Sequence, residues 1–257
     1  MVISTDAIVL RTMKFRDTSL IVTLYTRDLG RISVIAKGAR QKAAKGGGVP
    51  DAMSHLSTVI YWHEHRDLHL LSRWEVVRGN RRMTESMDRM AVGLGAVELL
   101  DAVSYHEETR GALYGLLENV LEAANSASRN IGSLLPFFQM QLLCRLGFQP
   151  SIDRCRICQS DLTGSGPGTG SVLLEPERGT VVCASCQPQL RAEGSISAGT
   201  LRTLQRLLHI GDAHEATALA MLPGIRQEVL SSLHSLLQYH AEGVRPSKSD
   251  AVFASLG

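Results

Sequence analysis

Residues 20–36 read LIVTLYTRDLGRISVIA, which is two apolar runs rich in β-branched residues on either side of a short polar link. Runs of this length and composition predict β-strands, here at residues 20–25 and 32–36, and Asp28-Leu29-Gly30 predicts a tight turn between them. Similar runs occupy residues 7–10, 58–62 and 68–71. Five strands within about 80 residues predict a small five-stranded β-barrel.

The hydrophobic period changes to that of helices at about Thr84. Apolar residues then recur every three or four positions over residues 87–103, 113–124, 136–146, 201–209 and 225–240, which predicts amphipathic helices. Gly147 and Pro150 predict a helix end directly before a cysteine-rich segment at about residues 151–192. The expected fold is therefore multidomain α+β, with the barrel in residues 1–80 and a helical domain with an inserted cysteine module in residues 81–257.

Four of the five cysteines have the spacing of metal ligands. They form two CxxC pairs separated by 24 residues: Cys155 with Cys158, and Cys183 with Cys186. Two intervening residues let both thiolates of a pair face one ion, and two pairs complete the tetrahedral set that structural zinc prefers. Residues 172–182 predict a hairpin that delivers the second pair, as in a zinc ribbon. We therefore expect a structural zinc ion in a closed site with no open position for catalysis.

Other uses of these cysteines stay open on the sequence alone. A redox CxxC pair would need a thioredoxin-like βαβ context, which the pattern does not show, and disulfide formation is a further alternative. Cys144 falls within an apolar helical stretch and is expected to act as a small hydrophobe. Arg154 and Arg156, with Arg178 as a further candidate, are expected to offset the negative charge of a zinc ion with four thiolates.

Positive charge is concentrated in the first domain. Residues 1–80 carry 12 Lys and Arg against 7 Asp and Glu, whereas the remainder carries 15 against 18. This asymmetry predicts an anionic partner, and a solvated basic face without a partner is the alternative. Phosphates would meet these cations and unstacked bases would meet a ring such as Phe15, as in single-strand binding by barrels of the OB type. The candidate contacts are Arg11, Lys14, Arg16, Arg31, Lys37, Arg40, Lys42 and Lys45.

Several classes of protein are disfavoured. No apolar stretch approaches the ~20 residues that cross a bilayer, and the first residues lack the apolar core of a secretion signal, so no membrane association and a cytoplasmic location are expected. His63, His65 and His69 lack the glutamate of a metalloprotease motif and are expected to be surface residues. No nucleophile elbow, paired-carboxylate motif or kinase signature occurs, so we expect a protein that is not an enzyme.

Blocks spread over nearly the whole chain resemble the RecO family of DNA repair proteins. They are AIVLR at residues 7–11, SLIVTLYT at 19–26, GRISVIAKGAR at 30–40, LGFQP at 146–150 before the first cysteine pair, and YHAEG at 239–243 with KS at 248–249. This chain has Phe15-Arg16-Asp17 where the family often has an aromatic-Gly-Glu step, which adds positive charge. Some members lack the cysteines, so the resemblance implies that zinc is architectural.

The resemblance implies an OB fold for the barrel and a nucleoid-associated recombination mediator. Such proteins bind single- and double-stranded DNA, anneal complementary strands, engage the tail of single-strand-binding protein and, with RecR, help RecA load on coated strands. By this analogy Lys37 and Arg40 are the leading DNA contacts. The acidic, apolar-ended tail is expected to bind a groove between the helices after Thr84. A zinc-ribbon RNA-binding or transcription-associated factor is the alternative, and a metal-dependent hydrolase with an open metal site is a third reading.

Overall fold

The computed structural model describes residues 1–44, 48–79, 81–104, 110–164, 170–190, 194–241 and 244. The chain divides into two compact units, Met1–Asn125 and Ser126–Gly257. Lys45 and residues 242–243 and 248–249, which entered the predictions above, lie outside the described residues. None of the helices in the described ranges combines the length and the apolarity needed to cross a membrane.

The first unit begins with a closed β-barrel, as predicted. Its strands are β1 (Val2–Phe15), β2 (Ser19–Thr26), β3 (Gly30–Ala36), β4 (His55–Tyr61) and β5 (Leu68–Arg78). Their order around the barrel is β1-β2-β3-β5-β4. The long strand β1 pairs with β2 on one side and with β4 on the other, which closes the barrel, while β3 and β5 form its one parallel contact among the described strands. These features confirm a five-stranded barrel of the OB type.

Alternation of apolar residues places one face of each strand inside the barrel. Along β2 and β3 the buried core contains Val22, Leu24, Ile32 and Val34, every second residue, because successive side chains of a strand point to opposite faces. Gly30 adopts a φ of 67°, a left-handed conformation that favours glycine. The predicted turn between the two strands is therefore confirmed.

The sequence predicts a loop over residues 38–50, but part of it is helical. Helix α1 (Ala39–Ala44) follows β3 and contacts β2. Ala39 is fully buried in the barrel core, and the alanines, Arg40, Gln41 and Lys42 are all good helix formers. The run of glycines that suggested a loop begins only at Gly46, after this helix has ended.

Three helices complete the first unit. They are α2 (Arg81–Thr84), α3 (Met87–Val103) and most of α4 (Arg110–Ser126). Helix α3 contacts β1, and its Asp101 accepts a hydrogen bond from Arg31 on β3. These helices therefore pack in the same compact unit as the barrel, and the predicted domain boundary at residue 80 stays a prediction.

The second unit is helical with a small inserted sheet, as predicted. Helix α5 (Leu134–Arg145) packs against α6 (Ala198–His209), α7 (Ala213–Ala216) and α8 (Pro223–His240). Between α5 and α6 lie β6 (Ser151–Cys155), β7 (Val172–Glu175), β8 (Thr180–Val182) and β9 (Ser195–Ile196). These strands form a sheet in the order β6-β8-β7-β9.

Candidate metal centre and nucleic-acid interface

The inserted sheet brings the two cysteine pairs together. Strand β6 ends at Cys155, and its parallel neighbour β8 ends one residue before Cys183. β8 is itself the second strand of an antiparallel hairpin with β7, whose turn includes Gly179 at a φ of 62°. The hairpin that the sequence predicts is therefore confirmed, and it delivers the second CxxC pair beside the first.

The four sulfur atoms lie close enough together to hold one metal ion. The Sγ atoms of Cys155, Cys158, Cys183 and Cys186 all lie within 4.8 Å of one another. Those of Cys158 and Cys183 are 3.7 Å apart. Zinc–sulfur bonds of ~2.3 Å at tetrahedral angles place sulfurs about 3.8 Å apart, so the donor set fits a four-thiolate zinc site. These four cysteines form no disulfide with one another, and three of them are buried.

Hydrogen bonds and burial act differently on these thiols. The backbone N–H of Cys183 donates to the Sγ of Cys155 at 3.4 Å, and the Sγ of Cys158 lies 3.2 Å from the hydroxyl of Ser160. Hydrogen bonds from the side chain and backbone of Ser160 lower the pKa of Cys158 to about 6. Burial raises the pKa of Cys186 to about 12. A bound cation would stabilise the thiolate form of all four.

The two arginines next to the first cysteine pair have other partners. The guanidinium of Arg156 donates to both carboxylate oxygens of Glu175 on β7, at 2.6 and 3.0 Å. These bonds lower the pKa of the Glu175 carboxyl. Arg154 donates to the carbonyl of Gln159 at 3.4 Å. The Glu175 carboxylate is thus the main partner of Arg156 and ties β7 to the first knuckle, and the expectation that this arginine offsets the charge of a four-thiolate metal site stays a prediction.

Strand register gathers several predicted DNA contacts at one end of the barrel. Lys14 on β1 is paired with Leu20 on β2, and Leu20 is paired with Ala36, the last residue of β3. Lys37 directly follows that residue, so Lys14 and Lys37 lie at the same end of three adjacent strands. Both side chains are exposed.

The turn between β1 and β2 adds two more cations at this end. Arg16 lies in the turn, and the guanidinium of Arg40 donates to the carbonyl of Asp17 at 2.7 Å. The backbone N–H of Arg40 donates to the carbonyl of Thr18 at 3.1 Å, which joins α1 to the turn. We call the group formed by Lys14, Arg16, Lys37 and Arg40 the basic end of the barrel.

The other predicted DNA contacts are placed elsewhere. Arg11 is exposed and paired with Thr23, farther along β1. Arg31 lies at the start of β3, away from the basic end, and its Nε is 2.6 Å from the carboxylate of Asp101, with 21% of its side chain exposed. Lys42 lies on α1, and Lys45 is outside the described residues. The basic end thus includes the two leading candidates and excludes Arg31, whose role in DNA binding stays a prediction.

Arg16 and Phe15 have an unusual local arrangement. Arg16 adopts a φ of 53°, in the left-handed region that costs energy for residues other than glycine. Its guanidinium lies over the Phe15 ring, 5.3 Å from the ring centre. One face of the only aromatic ring proposed to stack with a base is therefore already occupied by a cation.

Sequence reasoning missed the environment of His69. The His69 side chain was expected on the surface, but it is 4% exposed. Its ring stacks on that of Trp62, with 3.8 Å between the ring centres. Its Nδ1 accepts a hydrogen bond from the backbone N–H of His63 at 3.3 Å, and burial lowers its pKa. The signal was present, since His69 and the core residue Leu71 are two positions apart on β5 and share a face.

Comparison with known proteins assigns the family. Residues 1–80 match the N-terminal model and residues 84–250 the C-terminal model of recombination protein O. A DNA repair protein RecO from Salinibacter ruber is 31% identical over 255 residues, which is 99% of this chain and 94% of that protein. One from Symbiobacterium thermophilum is 31% identical over 243 residues, 95% of this chain and 94% of that protein. The resemblance seen in the sequence is confirmed, and the chain belongs to the RecO family of DNA repair proteins.

Proposed function

We propose that this chain is a recombination mediator that binds single- and double-stranded DNA through the basic end of its barrel. The observation that carries the proposal is the convergence of Lys14, Arg16, Lys37 and Arg40, from the two segments 14–16 and 37–40, at one end of a barrel whose fold is used for oligonucleotides. Membership of a DNA repair family makes DNA the anionic partner that these cations fit. This membership also favours DNA over the RNA-binding alternative.

The basic end is suited to phosphates more than to base edges. Within the described part of the chain, no carboxylate forms an ion pair with Lys14, Arg16, Lys37 or Arg40. Lysine and arginine that neutralise phosphates release condensed counterions, so binding weakens steeply with salt and depends little on sequence. We therefore expect slight sequence preference and strong salt dependence.

Charge reversal at the two leading cations tests the proposal. In the double variant Lys37→Glu, Arg40→Glu, affinity for unrelated oligonucleotides should fall about tenfold or more, because two phosphate contacts are lost. The log–log salt slope for a single strand should flatten by roughly 1.4 units, at about 0.7 per contact. Fluorescence anisotropy over a salt series measures both. The matched control, Arg202→Glu with Arg206→Glu on exposed positions of α6, changes the net charge equally and should retain more affinity. Unchanged binding of the barrel variant at every salt concentration would refute the assignment.

We further propose that Cys155, Cys158, Cys183 and Cys186 hold a structural zinc ion. The support is the donor chemistry and the proximity of the four sulfurs, which is compatible with a closed tetrahedron around one ion. A four-thiolate site leaves no position for a water nucleophile, so the ion would tie β6 to the β7–β8 hairpin and carry out no reaction. We expect one zinc per chain by elemental analysis, with these four thiols protected from alkylation while Cys144 reacts on unfolding.

The remaining activities are inferred from the family. They are annealing of complementary strands, binding to RecR and to the tail of single-strand-binding protein, and assistance to RecA on coated strands. The tail is expected to occupy a groove between helices after Thr84, and the cytoplasmic, nucleoid-associated location stays a prediction. Pull-down of the full chain with RecR and, separately, with the tail peptide tests both partners, and failure of both under low salt would contradict the mediator role.

A further inference from the structure

The four clustered cysteines differ in their access to solvent. Cys158 is exposed, whereas Cys155, Cys183 and Cys186 are 0%, 2% and 6% exposed. The difference comes from the turn that follows β6, in which residues 157–160 are all exposed and Gln159 has a φ of 60°. A small solute that approaches the cluster therefore meets Cys158 first.

Cys158 also has a second sulfur within reach. Its Sγ lies 3.7 Å from that of Cys183, the residue that follows β8. A disulfide bond is about 2.05 Å long, so these two sulfurs need to approach each other by about 1.7 Å. The hydroxyl of Ser160 lies 3.2 Å from the Sγ of Cys158 and gives a polar reagent a hydrogen-bonding neighbour. An exposed sulfur with a buried sulfur close behind it suits a pair in which one thiol is oxidised and the other resolves the product.

We propose that Cys158 is a site of oxidation by hydroperoxides, and that Cys183 resolves the oxidised sulfur as a disulfide with release of the metal. This inference rests on the structural zinc proposed above and concerns the reactivity of the same sulfurs. A bound cation keeps its sulfur ligands as thiolates, which are the nucleophilic form of cysteine. Hydrogen peroxide is smaller than alkylating reagents, so the protection against alkylation expected above does not extend to it.

The reaction is a two-electron oxidation of two sulfurs. The Cys158 thiolate attacks one oxygen of the hydroperoxide, so an S–O bond forms and the O–O bond breaks. The other oxygen leaves and takes a proton from water, which gives an alcohol, or water when the reagent is hydrogen peroxide. The Cys183 thiolate then attacks the Cys158 sulfur, so an S–S bond forms and the S–O bond breaks, and the hydroxide that leaves is protonated to water. Two thiolates, one hydroperoxide and two protons thus give one disulfide, one alcohol and one water.

The position of this disulfide determines what remains of the cysteine module. The bond leaves two of the four sulfur donors, too few for the closed tetrahedral site, so the metal is released. It also joins the turn after β6 to the end of β8, the same two segments that the metal would tie together. A disulfide within either CxxC pair would leave these segments without a link. The oxidised module should therefore stay folded, and reduction of the disulfide should restore zinc binding.

Peroxide titration of the full chain tests the inference. The parent for this experiment is Cys144→Ser, in which every remaining cysteine belongs to the cluster. Freshly purified protein of known zinc content is mixed with hydrogen peroxide and a chromogenic zinc chelator. We expect one zinc ion to be released for each molecule of hydrogen peroxide consumed, and to be bound again after addition of a dithiol reductant and zinc.

Peptide mapping identifies the sulfurs that are bonded. Trypsin cleaves after Arg156 and Arg178, which places Cys155, Cys158 and the second CxxC pair on three different peptides. Mass spectrometry should find the peptide of Cys158 joined to that of the second pair. Fragmentation between Cys183 and Cys186 should then assign the bond to Cys183.

Two histidine substitutions separate oxidation from coordination. Cys158→His keeps a zinc ligand, since sites with three cysteines and one histidine are common, but it removes the exposed thiol. This variant should bind zinc and retain most of it over the time in which the parent releases its own. Cys186→His is the matched control, because it gives the same donor set but keeps Cys158 and Cys183, and it should release zinc as fast as the parent. The peptide map of the parent decides the pairing even where a histidine variant fails to fold.

The outcomes distinguish this inference from the proposed zinc site. Retention of zinc at peroxide concentrations that fully oxidise free glutathione would refute oxidation at Cys158. A disulfide within one CxxC pair, or release from Cys158→His as fast as from the parent, would equally overturn the proposal while leaving the zinc site intact. Freshly purified protein with four reactive thiols and no zinc would instead contradict the zinc site and this inference together.

Discussion

Replacing Cys183 with serine should remove the metal and loosen the cysteine module. The Sγ of Cys183 lies 3.7 Å from that of Cys158, and the preceding residue, Val182, is the last of β8. Loss of this thiolate leaves three sulfur donors, so only Cys186 would still link the second pair to the first through the metal. Metal binding of this kind is coupled to folding, so zinc content and stability should fall together.

The size of the effect follows from the number of bonds. Structural zinc in small domains contributes an apparent ~10–16 kcal/mol, so one bond of four corresponds to about 3–4 kcal/mol. At 1.4 kcal/mol per factor of ten, zinc affinity should fall by roughly two to three orders of magnitude. A loss of about 3 kcal/mol in a unit of this size should lower the thermal midpoint of the second unit by about 10 °C.

Three measurements on one sample check this reasoning. Elemental analysis gives zinc per chain, calorimetry gives the midpoint, and hydrogen exchange locates the loss of protection, which should be confined to β6–β9 and spare the barrel. Cys144→Ser is the matched control, because it makes the same chemical change on α5 outside the cluster. Retention of one zinc and an unchanged midpoint in Cys183→Ser would refute the four-cysteine site.

Two further predictions concern the barrel. Arg16→Gly should raise the free energy of unfolding by about 0.5–1 kcal/mol in chemical denaturation, because glycine adopts the left-handed backbone of this turn without strain. The same change should flatten the salt slope for single-strand binding, measured by anisotropy, by about 0.7. A lower free energy of unfolding in this variant would contradict backbone strain at Arg16. Burial lowers the pKa of His69 in the folded state below its unfolded value of ~6.5, so the unfolded chain binds more protons as the pH falls. The stability of the barrel should therefore decline below about pH 6.5. Thermal melts between about pH 5.5 and 7.5 should show a smaller decline for His69→Gln than for the parent protein. An equal dependence of the melting temperature on pH in the two proteins would exclude His69 as a cause.

Local spacing made the metal cluster predictable, whereas features that depend on strand register were not. The two-residue separation lets the thiolates of Cys155 and Cys158 face one ion, whatever surrounds them. By contrast, the partner of Arg31 is Asp101, 70 residues away on a helix, and nothing near Arg31 in the sequence indicates it. Helix α1 was missed because the glycines that follow it outweighed its own helix-forming residues.

The burial of His69 lies between these two cases. The alternation that places its side chain inward is contained in one strand, and stricter use of it would have found that residue's burial.

The double pairing of β1 has a consequence for how the barrel is made. On the ribosome, β1, β2 and β3 emerge first and can pair with one another, but the other edge of β1 finds its partner only when β4 has been synthesised, at Tyr61. At about 5–20 residues per second, the 25 residues between Ala36 and Tyr61 take roughly 1–5 s. During that interval the nascent sheet has an open edge that can pair with another chain. When ribosomes translate this protein close to one another, early binding of a chaperone to the open edge is therefore favoured. Translational pauses within residues 37–61 should increase aggregation of the protein.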